Sequence, residues 1–433
     1  MVVLALATGF TLYFFNPGLW VEVGGDSKVF YTAANLAAQG GNPYDPAAIG
    51  HEADVLLNIP AHAHYPEPNY LGPASYAYPP LYTRALELGR GLPWLAFYLL
   101  GAALMLACAV AALEVLMRAL RWRDRGIGRL GLLISTPLAT TIFDWNPSAL
   151  AMLILAAGFA LMARRRMLLA GLVLSLSTFK LAQALPVAVA LLVAGIPDPT
   201  AWPPAAGARQ LLLGAGRTRL TGLAGFAAGC LGLLGLNAAV ARPGELSAWL
   251  GGMTSLGGQF ASQGNGSRSA FAQTLLAGLP ALVMERTGTA IATALAVVLV
   301  AGLLAWVALS HRNLTENLRR EPLLLAALLV SAAMAALPYT HTNDLLLDAL
   351  PLLVACSLPG RPWALLAPLV WYAGPLLRFL QALAFGLLFG ISPNAKAGWG
   401  VAMSGALLLV LAAAAALPPR YPAAAPPVAD QRR

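Results

Sequence analysis

Long apolar blocks alternate along this chain with short polar landmarks, and the landmarks predict where its helices end. A bilayer core takes about 20 apolar residues per tilted helix, which leaves room for about a dozen spans. The pattern predicts crossings at residues 2–20 and 92–117, separated by a polar stretch, 21–91, with a short helix over 27–39. The first block lacks a basic start and a small-residue cleavage pattern, so it reads as a span and not as a signal peptide. Further spans are expected at 130–143 and 148–163, around a Phe143-Asp144-Trp145-Asn146-Pro147 turn, then as a short pair at 167–181 and 184–196, then at 220–240. A second polar stretch, 241–287, contains an apolar piece, 270–284, too short to cross comfortably and expected to lie in the interface or re-enter. Spans at 289–309, 321–337 and 344–358 follow, and 363–417 holds two or three more, for a total of 12 or 13. The expected fold class is an all-α polytopic membrane protein with a disordered tail at 418–433.

Composition narrows the picture. Of 433 residues 59% are apolar and 10% charged, against roughly 25% charge in a soluble domain. That excludes an ordinary soluble enzyme, a disordered chain and a coiled coil, and with only three cysteines it excludes a disulfide-stapled domain. Cys108, Cys230 and Cys356 lie in separate apolar runs and read as small core hydrophobes. The net charge is +9, and 18 of the 27 Lys and Arg fall at 118–129, 164–166, 209–219, 312–320, 361 and in the tail. The positive-inside rule makes those segments cytoplasmic and puts 21–91 and 241–287 on the outer side. The basic excess is thus an orientation signal, and no nucleic-acid partner is expected.

Polar residues near membrane depth carry the functional information, because each costs about 2.5 to 3.5 kcal/mol unless it is buried with a partner. Lys180, one of only three lysines, ends a short helix. Snorkelling to the headgroups would account for it, as would an ammonium facing a lipid phosphate, with Pro186 breaking the helix there. His341 stands in the polar turn Thr340-His341-Thr342-Asn343-Asp344, where capping and a binding site are both open readings. Asp26 begins the 27–39 helix, either as its N-cap alone or also as a general base at the membrane lip. Asp144, in its Asp-Trp-Asn-Pro turn, has turn chemistry as a sufficient explanation. These four ionisable groups all fall at the outer ends of helices, which points to one outward-facing site. His51, Glu52, Asp54, His62 and His64 have metal-ligand types without ligand spacing. No phosphate loop occurs. No cofactor is therefore expected, and a divalent metal stays an open question.

These residues resemble a known family. Asp26 with Phe30-Tyr31-Thr32-Ala33-Ala34, Gly40-Gly41-Asn42-Pro43-Tyr44 and Tyr78-Pro79-Pro80-Leu81 looks like the first outer loop of glycosyltransferase family 87, of the GT-C superfamily. Arg164-Arg165-Arg166, Ala170-Gly171-Leu172 and Thr178-Phe179-Lys180 before Pro186 resemble its arginine turn and lysine-proline segment. Residues 263–276, with Asn265-Gly266-Ser267, Ser269-Ala270-Phe271 and Gln273, resemble its polar segment entering a re-entrant helix, and Leu337-Pro338-Tyr339 with His341 resembles its outer turn. The chain departs from the family pattern at Thr340, at Asn343-Asp344, and where Asp144-Trp145-Asn146-Pro147 replaces a Gly-Gln-Asn type turn. The resemblance implies a GT-C catalytic module over 1–358, further membrane helices over 359–417, and inverting transfer of a sugar, mannose favoured, from a polyprenyl-phosphate donor to a lipid or glycan acceptor on the periplasmic face. It implies Asp26 as general base and Lys180 and His341 on the donor phosphate. Tyr78, Asp144, Trp145, Asn146, Gln273, Asn343 and Asp344 would contact substrate. A secondary transporter or a lipid-linked sugar flippase is the rival expectation, weakened by the lack of an internal repeat.

Overall fold

A computed structural model describes residues 25–57, 76, 78–120, 131, 135–195, 216–252, 279–282, 284–337, 340, 342–358, 366 and 399–418. Among the described residues every regular element is helical and none is a strand. Three helices, Trp94–Ala119, Thr218–Val240 and Ala290–Leu309, are long and apolar enough to cross a membrane, and several shorter apolar helices pack beside them. The architecture is all-helical and compatible with a helical membrane protein.

Before the first long helix come α1 (Gly25–Ala38), α2 (Pro46–Leu57) and α3 (Pro80–Leu86), with a 3-10 turn at Glu87–Gly89. The helix predicted at 27–39 already includes Gly25 and Asp26, so Asp26 lies inside α1 and is not its N-cap, whose backbone would be non-helical. Pro80 sits at the first turn of α3, where its missing N–H costs nothing. The next N–H, of Leu81, is one of the orphans of that turn, and Asn237 accepts it at 2.8 Å from another helix.

The bundle then runs through α4 (Trp94–Ala119), α5 (Thr136–Asp144), α6 (Ser148–Ala163), α7 (Met167–Ser175), a 3-10 segment Leu176–Lys180 and α8 (Leu181–Ala194). It continues with α9 (Gly216–Val240), α10 (Met284–Leu309), α11 (His311–Arg320) and α12 (Leu324–Ala336). A second 3-10 segment, Thr342–Asp348, leads to α13 (Ala349–Ser357), and α14 (Trp399–Ala416) comes last. The expected short pair appears as two short apolar helices, Met167–Lys180 and Gln183–Ala194, and the break between them sits at Lys180 (φ −117°, ψ 62°), where the 3-10 segment passes into α8. Pro186 lies inside α8 and does not end it. It forfeits the single bond that its own N–H would have given the Ala182 carbonyl. The basic stretch around 312–320, read from sequence as a loop, forms the polar helix α11.

Close helix approach aligns the site. Gly171 of α7 lies so near α9 that a Cβ on it would stand 2.0 Å from the Gly222 carbonyl oxygen, and Gly225 approaches the Leu168 carbonyl as tightly. Small residues at such contacts let backbones meet where lipid supplies no hydrophobic drive. The packing fixes the direction in which α7 delivers Leu176–Lys180. Similarly Gly101 of α4 receives the Trp145 ring, 1.9 Å from where a Cβ would be.

Candidate functional site

Two interrupted helices meet a tight turn. Ser135 caps α5, accepting from the Leu138 N–H at 3.4 Å, and α5 ends at Trp145 in the left-handed conformation (φ 54°). Pro147 then prevents the helix from resuming at once, and the Asn146 side chain accepts the Ser148 N–H at 3.1 Å, covering the start of α6. Pro351, third residue of α13, cannot donate to the Leu347 carbonyl, which matches the 3-10 form of Thr342–Asp348 just before it. These breaks leave Asn146, Ser148, Lys180 and Asp344 facing one another.

The Lys180 ammonium donates to Asn146 Oδ1 at 2.6 Å, to Ser148 Oγ at 2.5 Å, and to Asp344 Oδ1, with which it forms an ion pair. Ser148 Oγ in turn lies 2.5 Å from Asn146 Oδ1 and 2.8 Å from Asp344 Oδ1, and has one hydrogen to give to either. All four are buried, with Lys180 and Asn146 at 7%, Asp344 at 1% and Ser148 at 0% exposure. The sequence singled out Lys180, Asn146 and Asp344 separately, and the fold brings them together. Ser148 was missed, since a serine after Asn-Pro reads as a helix start. Asp348, one turn beyond Asp344, is also wholly buried, and neither of its oxygens has a hydrogen-bond partner among the described residues.

An aromatic floor adjoins this cluster. The Tyr78, Tyr82 and Phe179 rings are near parallel, Tyr82 and Phe179 at 3° with centroids 5.8 Å apart, and Phe179 directly precedes Lys180. Phe30, one turn on from Asp26 in α1, sets its ring edge-on to Tyr78 at 5.0 Å, Tyr82 at 5.8 Å and Trp145 at 5.4 Å. The first-loop helices and the lysine cluster thus share one end of the bundle. Trp145 is buried between Phe30, Phe97 and Gly101, so its ring packs the bundle and offers little surface to a ligand. Tyr78 is half-buried, and its carbonyl accepts from Tyr44 at 2.9 Å. Tyr76 is buried with its hydroxyl 2.7 Å from Thr83 Oγ1, and burial pushes the Tyr44 and Tyr76 phenols well above their ordinary range, so both stay neutral.

A second polar network ties α1, α3 and the residues after α9. Arg84 of α3 pairs with Glu87 and Glu245, Arg242 reaches Glu87 at 3.4 Å, and its N–H donates to Glu245 at 2.8 Å. Arg242 also donates to the Ala37 carbonyl of α1. Lys28 of the same helix lies 5.5 Å from the Trp94 ring centroid.

The backbones of Asp26, Asp144 and Asn343 are helical, while their side chains lie outside the described residues, as do His341 and Gln273 entirely. Of the four ionisable groups that the sequence sets at helix ends, Lys180 alone has its side chain among the described residues, so their convergence lies outside them. Among the described residues no group of three or more His, Cys, Asp or Glu is placed to hold a metal ion. No family model matches the chain, and no curated protein matches it.

Proposed function

We propose that this protein is an inverting glycosyltransferase of the GT-C type, with about 12 spans in a bacterial inner membrane. It moves a sugar, mannose favoured, from a polyprenyl-phosphate donor to a lipid or glycan acceptor on the periplasmic face. The observation that carries the reading is the meeting of a buried lysine cluster, an aromatic floor and the helix containing Asp26 at one end of the bundle. A phosphate leaving group is already anionic, so the chemistry needs a base, a cation and a site closed to water, and no acid to protonate the leaving oxygen. Asp26 takes the acceptor hydroxyl proton as negative charge passes to the carrier phosphate. Lys180, with His341, stabilises that charge, and Tyr78 offers a ring face to the sugar.

Purified protein with radiolabelled polyprenyl-phosphate mannose and a lipid extract is expected to form a labelled lipid. Asp26→Asn is expected to slow this by about 10²-fold or more, the usual contribution of a positioned base. Equal transfer by both proteins would remove Asp26 from the chemistry. The helices interrupted at Lys180 and around Thr342–Asp348 favour a second reading, a transporter with its site at broken helices. Uptake of a labelled sugar phosphate into proteoliposomes without any covalent transfer would select it.

A further inference from the structure

The Lys180 ammonium has three hydrogens, and Asn146, Ser148 and Asp344 take all three. A phosphate approaching this lysine finds no hydrogen left to receive it. Of the three acceptors only Asp344 carries charge, and it is the only one on the far side of an interrupted segment. Asn146 and Ser148 are tied to each other and to the start of α6. Asp344 stands in the 3-10 segment Thr342–Asp348, whose hydrogen-bond geometry is poorer than that of an α-helix. Ser148 Oγ has two acceptors within reach, so it keeps a hydrogen bond to Asn146 if Asp344 departs.

We propose that Asp344 is an exchangeable internal counter-ion: the monoanionic or dianionic phosphate of a prenyl carrier displaces its carboxylate from Lys180, and its return expels the spent carrier. This rests on the reading of Lys180 as the phosphate-binding residue. Exchange keeps one anion against the buried ammonium at every stage, while the displaced Asp344 carboxylate loses its counter-ion, a cost that drives its return. It also makes Asp344 a competitor of the ligand: its charge weakens phosphate binding and speeds release.

The test uses detergent-purified full-length protein and three probes, farnesyl phosphate, farnesol and inorganic phosphate, with affinities from thermophoresis. Asp344→Asn keeps the side-chain shape and removes the charge, and is expected to bind farnesyl phosphate at least about tenfold tighter than wild type, the low end of coupling between close charges. Lys180→Met is expected to reduce farnesyl phosphate to the level of farnesol. If Asp344→Asn does not purify as a single species, Asp344→Ser decides, because it also removes the competing carboxylate while losing some packing. Its expected gain has the same direction and is smaller. Unchanged or weaker farnesyl phosphate binding in the deciding variant, while wild type binds it above farnesol, overturns the exchange and leaves the phosphate site standing. No preference for farnesyl phosphate over farnesol in any protein overturns the phosphate reading itself. Inorganic phosphate binding as well as farnesyl phosphate overturns the assignment to a lipid carrier.

Discussion

Among its described residues the molecule contains two ion-pair networks of opposite design. Around Lys180 one cation and one anion are enclosed with two neutral partners, in contact with interrupted helices from three parts of the chain. Around Arg84 two arginines and two glutamates join α1, α3 and the residues following α9, with Arg84 and Arg242 19% and 35% exposed. The first is small, dry and complete in its hydrogen bonds at the ammonium. The second is wider, partly wet and built from long side chains. A network that fastens several elements tolerates solvent, because losing one contact leaves the others. An ion pair enclosed in a low-dielectric interior is costly to leave with one charge unpaired, so the placement of each member matters more there.

The comparison predicts unequal sensitivity to mutation. The largest effect is expected for Lys180→Met, which leaves the Asp344 carboxylate buried without its counter-ion and should lower stability by about 3 to 5 kcal/mol. Chemical unfolding in detergent measures it. Lys180→Met combined with Asp344→Leu, which removes both charges, should regain most of that loss; a double variant as unstable as the single one would show that the pair's charge is not what matters. A smaller effect is expected for Glu245→Ala, about 1 to 3 kcal/mol, because Arg84 and the Arg242 N–H lose an acceptor while Glu87 still holds both guanidinium groups. A loss as large as that of Lys180→Met would erase the contrast between the two networks. The smallest belongs to the exposed pair Arg320–Glu316 on α11, 2.9 Å apart, where Arg320→Ala should change stability by less than about 0.5 kcal/mol. A larger loss there would mean that α11 docks more firmly than its polar face implies.

Much of the helix plan is legible because a membrane helix announces itself by length and apolarity. The spans predicted at 92–117 and 289–309 appear as Trp94–Ala119 and Met284–Leu309, and the turn at 144–147 falls between α5 and α6. Lys180 was legible for a related reason, since a rare lysine in an apolar run demands a partner. The identity of that partner was not. Asp344 lies 164 positions away, and nothing local distinguishes a turn carboxylate that caps a helix from one that neutralises a distant ammonium. Trp145 shows the reverse case: an aromatic residue in a turn between helices has the type for sugar stacking, and the gap left by Gly101 turned it into packing.

The sequence by itself determined that this is a helical chain with apolar helices long enough to cross a membrane, and where most of the described helices begin and end, because hydropathy and proline act within one turn of where they stand. Only the tertiary structure decided which polar residues meet. That choice depends on how closely α7 and α9 approach through their glycines and on which way two interrupted helices re-aim their side chains. The close packing of whole helices sets those distances, and no single residue's propensity encodes them.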